Sequence, residues 1–307
     1  MNKTLLSITM AAYLSSCPDN STFLAEKANN RELSVLQLTT RSFSLHSFRM
    51  EETFEEQASL DLHVVPASQD KAKRIPSLYR SVKAEAFRHT DGRMVWKTEK
   101  PMVLDEHPIR IYASYPYQPS ATLSPASRRL RISPLARLTP DYRRGALTRG
   151  HKPVNRTCPH AMLAMEHLLS RLSFRLTGQQ GKKPKCSLEA IQVGNCPGGK
   201  AFCQEAVVDL VSGRLTAFPG HPGATVFVPD SPMPIGDAFS APGKVWVLPS
   251  VKPMEAGEIE ILFTIDGKKY RYVFPKGTYW KRGYEYRYDF RLKDDGLFLV
   301  ETTSVFI

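Results

Sequence analysis

From Tyr284 to Leu292 every second residue is apolar: Tyr284, Tyr286, Tyr288, Phe290 and Leu292 alternate with Glu285, Arg287, Asp289 and Arg291. A period of two puts the two sets on opposite faces of an extended chain. The stretch therefore reads as a strand with one face toward a core and one toward water. A helix would scatter the same side chains around its circumference. The neighbouring segments carry the same signature. Ile259, Ile261, Phe263 and Ile265 alternate with Glu260, Leu262 and Thr264, Asp266-Gly267 supplies a tight turn, and Tyr270, Tyr272 and Phe274 return. Asp294-Asp295-Gly296 then turns the chain into a last strand, Leu297 to Ile307.

Upstream, 23 Pro and 18 Gly punctuate short apolar runs across the 307 residues, with no βαβ or helix-rich region between them. The class expected is all-β, built as antiparallel sandwiches. Leu33 to Leu38 reads as a first strand. Leu60 to Val65 alternates and stops at Pro66, residues 81–87 and 92–96 flank an Asp91-Gly92 turn, and Ile109 to Tyr117 closes at Pro116. Shorter strands are expected at Leu188 to Val193, Ala206 to Val211, Thr225 to Val228 and Val245 to Leu248. Leu163 to Leu176 fits two patterns: Ala161, Leu168, Leu169 and Leu172 share a helical face, while Leu172, Phe174 and Leu176 alternate as in a strand. Residues 128–156 hold nine Lys or Arg against the single acid Asp141, with Pro, Gly and Ser among them. That composition suits a solvated connection between domains. The expected domains are residues 33–155 and 156–307.

The N-terminus is of another kind. Lys3 precedes a mostly apolar run, Leu5 to Leu14, too short to span a bilayer. Leu14-Ser15-Ser16-Cys17 then resembles a bacterial lipobox. On that reading residues 1–16 are a lipoprotein signal peptide, Cys17 carries the lipid, and the polar residues 17–32 are a tether. The alternative is an ordinary secretory signal with an incidental Cys. Of the remaining cysteines, Cys186, Cys196 and Cys203 bracket a Pro197-Gly198-Gly199 loop and are candidates for a stapling disulfide. Together with Cys158 they allow three pairings, among which spacing does not choose.

No nucleophile elbow, phosphate loop, His-Glu-x-x-His or dinucleotide fingerprint occurs. Cys158-Pro159-His160 with His167 lacks a second ligand pair at zinc spacing, and Cys196 and Cys203 are seven apart. No catalytic residue, metal or cofactor is expected, and the chain does not read as an enzyme. The formal charge of +12 invites a nucleic-acid partner, but no recognition motif accompanies it. No nucleic acid is expected. The Tyr284, Tyr286, Tyr288 and Phe290 stripe has the chemistry of a sugar platform, yet its strict period suits a core face better.

Several pieces, in this order, resemble the fimbrillin-like (type V pilin) lipoproteins of Bacteroides-type bacteria. They are the lipobox, the acidic stretch Phe54 to Leu62, and Tyr112 to Tyr117 with its Tyr-x-x-Tyr-Pro-Tyr ending. His167-x-x-Ser170-Arg171-Leu172-x-Phe174-x-Leu176 and Gly277-Thr278-Tyr279-Trp280-Lys281-x-Gly283-Tyr284-x-Tyr286-x-Tyr288 follow. The resemblance implies two tandem transthyretin-like sandwiches in a lipoprotein exported to the outer membrane, surface-exposed and part of a fimbrium. It implies trimming by an Arg-specific protease, for which Arg41 is the first candidate and Arg31 and Arg49 are rivals. The cut removes the strand Leu33 to Leu38, and the groove is refilled by the C-terminal strand of another subunit. Here the donor residues are Leu297, Leu299, Val305 and Ile307. The partners implied are other fimbrial subunits and outer-membrane lipid through Cys17. Stalk, tip and anchor roles all fit. The basic 128–156 stretch and the four further Cys depart from the family pattern. The alternative function is a non-polymerising surface lipoprotein that binds glycan or host protein.

Overall fold

Among the described residues every regular element is a strand. The computed structural model describes residues 34–43, 50–51, 54–67, 81–90, 94–118, 122–124, 129–134, 142–147, 153–178, 186–218, 224–294 and 296–307. The signal peptide, Cys17, the tether, Arg31, Arg49 and the Asp91-Gly92 turn lie outside them.

In chain order the strands are β1 (Gln37–Phe43), β2 (Met50–Glu51), β3 (Ser59–Pro66), β4 (Val82–Arg88), β5 (Met94–Thr98), β6 (Ile109–Tyr115) and β7 (Thr122–Ser124). Next come β8 (Arg129–Ile132), β9 (Arg143–Leu147), β10 (His160–His167), β11 (Ser170–Thr177), β12 (Cys186–Asn195), β13 (Ala206–Asp209) and β14 (Leu215–Ala217). The last are β15 (Ala224–Phe227), β16 (Met233–Ile235), β17 (Gly243–Val247), β18 (Ile259–Ile265), β19 (Lys268–Val273), β20 (Tyr284–Lys293) and β21 (Gly296–Phe306).

The C-terminal alternation folds as its pattern dictates. The β18–β19 hairpin turns on Asp266 and Gly267, both at positive φ (45° and 73°), as a two-residue turn matched to strand twist requires. Sheet β17-β11-β20-β21 faces sheet β15-β12-β18-β19, with β16 paired to β12. Between them Phe263 meets Phe290 edge-on at 4.9 Å and Phe174 at 5.9 Å. Leu172, Ile191, Val193, Ile261 and Ile265 fill the same core.

The first half forms a sheet ordered β10-β9-β6-β3-β4-β5-β1-β2, with β10 also paired to β1. Its core gathers Leu36, Leu38, Leu60, Leu62, Trp96, Ile111 and Leu163. A small sheet, β14-β13-β8-β7, joins strands from distant parts of the sequence. Beneath it Val65, Tyr112, Leu130, Leu168, Leu169, Val208 and Leu248 make a third apolar cluster. Residues Leu33–Ile307 group as one compact unit.

Three expectations change. The first strand is Gln37–Phe43, not Leu33 to Leu38, with Val35 making only an isolated bridge to Val103. The basic 128–156 stretch, where it is described, contributes strands to the sheets: β8 pairs β13, and β9 lies between β6 and β10. Leu163 to Leu176 holds no helix; it is the end of β10 and most of β11, and the chain changes sheet at Leu168 and Leu169. Both leucines are fully buried in the third cluster, which is why they satisfied a helical pattern without forming a helix.

Candidate functional site

The feature that sets the first sheet apart is the seat of β1. The strand runs parallel to β10 over Gln37–Ser42, paired with His160–Met165. On its other side Leu38 is opposite Trp96 of β5, and the Leu36 N–H bonds the Met102 carbonyl at 3.0 Å. With β10–β9–β6–β3–β4–β5 already joined in a row, β1 closes the circuit. Lifting it out would open two strand edges at once.

Leu36, just before β1, and Leu38 and Thr40 within it point inward, exposed by 7%, 3% and 8%. Gln37 and Thr39 face out. Thr40 Oγ1 accepts a hydrogen bond from Trp96 Nε1 at 2.9 Å, inside the core. Phe54 packs edge-on against Trp96 at 5.3 Å and against Tyr115 at 5.1 Å, fixing the indole toward Thr40. An indole N–H only donates, so this site is satisfied only by an acceptor on whatever strand fills the seat.

At the opposite end of the chain, β21 is the outer strand of its sheet and, among the described strands, pairs only β20. Leu297 and Leu299 lean on the second core, and Val305 and Ile307 are half-buried. Phe298 and Val300 face out, 43% and 49% exposed. The β20–β21 ladder is broken where Asp289 is opposite Glu301 and Phe290 opposite Leu299, so Val300 has no partner residue.

The other candidate positions do not assemble into a reactive site. Cys158 lies just before β10 and His167 ends it, stacked on Trp246 at 6.1 Å. A strand of that length separates them by roughly 25 Å, far beyond thiol–imidazole contact. No disulfide joins Cys158, Cys186, Cys196 or Cys203 in the structure, so the expected staple among the last three is not seen. Cys186 and Cys196 flank the ten-residue β12, ~33 Å apart along an extended chain, where a disulfide needs Cα atoms within about 7 Å. Of the aromatic stripe, Tyr288 and Phe290 are buried while Tyr284 and Tyr286 are half-buried. Among the described residues no three His, Cys, Asp or Glu side chains gather as a metal site.

A polar cluster that sequence reading passed over lies on the other face of β3. Asp61 and His63 are both buried, with Asp61 Oδ2 at 3.4 Å from His63 Nε2 and Ser81 Oγ donating to Asp61 Oδ1 at 2.7 Å. Burial pushes the Asp61 carboxyl above its ordinary range, against the pull of His63 and Ser81. The alternation Leu60-Asp61-Leu62-His63-Val64 put both on a wet face. Only the third cluster, which no local pattern announces, dries it.

A sheet circuit closed by an N-terminal strand, together with an outer C-terminal strand, defines an all-β protein of packed sheets. The chain belongs to the fimbrillin-like family, whose profile matches residues 49–305. The fold is that of a Bacteroides uniformis protein described as a cell adhesion protein, at 13% identity and TM-score 0.65, covering 89% of this chain and 98% of that one. A Bacteroides ovatus protein with the same description is similar at 10% identity and TM-score 0.64, covering 90% and 99%. A fimbrial protein of Bacteroides vulgatus is similar at 11% identity and TM-score 0.56, covering 88% and 99%. No curated protein matches. Family membership places the chain among structural proteins of surface fimbriae rather than among enzymes.

Proposed function

We propose that this chain is a fimbrial subunit exported as a lipoprotein, held on the outer membrane through Cys17, and joined to other subunits by strand exchange. On this reading an Arg-specific cut releases β1, and the C-terminal strand of another subunit takes its seat. On the same reading the chain holds two tandem transthyretin-like sandwiches, the first carrying the seat of β1 and the second the donor strand β21. The observation that carries the reading is the position of β1, a separable N-terminal strand that closes a sheet circuit. Its refilling is edge-strand addition, with backbone bonds for affinity and inward pockets for choice. The family match beginning at residue 49, after β1 ends, agrees with a strand that is dispensable to the mature domain.

The three Arg candidates then differ in consequence. A cut after Arg31 leaves β1 whole. A cut after Arg41, which is paired with Ala164 inside β1, removes Leu36, Leu38 and Thr40 and leaves Ser42 and Phe43. A cut after Arg49 removes all of β1. Before trimming, the acyl chains on Cys17 keep the precursor from leaving the membrane, because more than one chain anchors where a single one exchanges. Treating purified precursor with an Arg-specific protease tests the proposal. The expected result is a ladder of polymer whose subunits begin after Arg41 or Arg49. A chain trimmed there that stays monomeric, or one never trimmed, refutes it.

A further inference from the structure

We propose that the β1 seat selects its new occupant by a hydroxyl group, and that the occupant is β21 of a second copy of this chain, entering through Phe298, Val300 and Thr302. The inference rests on the strand-exchange reading above and names the partner that the seat accepts.

The strand that leaves presents Leu36-x-Leu38-x-Thr40 to the core. Its third residue is not interchangeable with an aliphatic one. Trp96 is 5% exposed, and Thr40 supplies the oxygen its N–H donates to. A replacement strand with Val or Leu at that position would leave a buried donor unpaired, which costs more than an ordinary hydrogen bond contributes. The seat therefore asks for two apolar side chains and then a small acceptor, at alternate positions.

In a regular strand, Phe298-x-Val300-x-Thr302 offers that series in the same chain direction, with Phe298 at the place of Leu36, Val300 at that of Leu38 and Thr302 at that of Thr40. The other set, Leu297-x-Leu299-x-Glu301, would carry a carboxylate into the dry core beside Trp96, a far costlier fit. Phe298 is larger than Leu36, and it would arrive beside Met102, whose side chain readily adapts its shape.

β21 also leaves one edge open where it now lies. It is an outer strand with a single neighbour, its ladder is interrupted at Val300, and Phe298 and Val300 face solvent. In the seat the same backbone would gain a neighbour on each side, β10 and β5, and its two exposed apolar side chains would be covered. In the seat the incoming strand would take up the β1 pairings, a parallel ladder with β10 and the contact opposite Trp96 of β5.

The test uses full-length precursor and an Arg-specific protease, reading the rate at which polymer ladders form. Thr302→Val is expected to slow assembly about tenfold or more, and Thr302→Ser to assemble like the unmodified chain. In a Trp96→Phe background the N–H is gone, so Thr302→Val and Thr302 chains are expected to assemble alike. Unimpaired assembly by Thr302→Val overturns the inference, as does a defect that persists undiminished in Trp96→Phe. Should Trp96→Phe fail to fold, the Val and Ser substitutions at exposed Thr302 still decide between hydroxyl selection and indifference. Unmodified precursor that is trimmed yet never assembles overturns instead the strand-exchange reading and, with it, the second copy as occupant.

Discussion

Trp280 and Tyr288 show how a fully buried indole is kept in this fold. Trp280 Nε1 donates to Tyr288 Oη at 2.9 Å, and Phe274 packs edge-on against both rings. Burial pushes the Tyr288 phenol well above its usual range, so it stays neutral at any pH the protein meets. Tyr288→Phe is expected to cost about 1–3 kcal/mol, read as a lower denaturant midpoint with unchanged slope, because the indole N–H loses its acceptor. Asp61 carries the opposite lesson. Its folded pKa is raised above the ordinary 3.8, so the folded chain holds this proton more tightly than the unfolded one. The resulting stability is full below about pH 3.8 and is lost as pH rises through the raised value. Asp61→Asn keeps an oxygen for Ser81 and carries no charge. It is expected to abolish that decline and to unfold no more easily than the parent at neutral pH; a melting series in acidic to neutral buffers checks this.

Strand β9 holds the small bridging sheet against the first one. Arg144 lies under it, with Nε donating to the Leu210 carbonyl at 2.6 Å and Nη2 to that of Val211 at 2.7 Å. From the far end of the chain Arg282 donates to the Gly213 carbonyl at 2.9 Å and to Glu166 at 3.1 Å, so the two guanidinium groups grip one turn. Burial lowers the Arg144 pKa, with Glu166 working against it, and the group stays charged. Arg144→Met is expected to lose about 1.5–3 kcal/mol and to open the 210–213 turn to proteolysis, whereas a surface Arg such as Arg110 should be replaceable at little cost. Nothing local in the sequence foretold this. The hairpins from Ile259 onward were legible because their partners are adjacent and their period is strict. β8 pairs a strand some seventy residues away, and β9 is wedged between β6 and β10, so their basic, Pro-containing sequence read as a linker. Asp289 is a subtler case. Alternation put it on the face opposite Phe290 and toward water, but it is buried, and parallel pairing sets Arg175 beside it in a two-pronged ion pair at 2.8 and 2.5 Å. The seat of β1 was half legible: an N-terminal strand was expected, but its length and its Thr40–Trp96 contact depend on long-range closure.

Closure also sorts the Arg positions by effect. If β1 must be lost before subunits join, Arg31→Gln should leave assembly intact. Arg41→Gln and Arg49→Gln together should leave an untrimmed monomer that still melts cooperatively, as mass spectrometry of the N-terminus and a ladder assay can show. The parallel ladder of β1 with β10 has a consequence for anything built on this seat. A strand that reproduces that ladder runs the same way as β1, so each new subunit bound in this register arrives with the same orientation as the last. Such a contact would be heterologous, between unlike surfaces, and would grow as an open fibre wherever its rotation does not close a ring. A fibre assembled this way has a sense of direction: one end always shows an empty seat or its plug, and the other an unused tail.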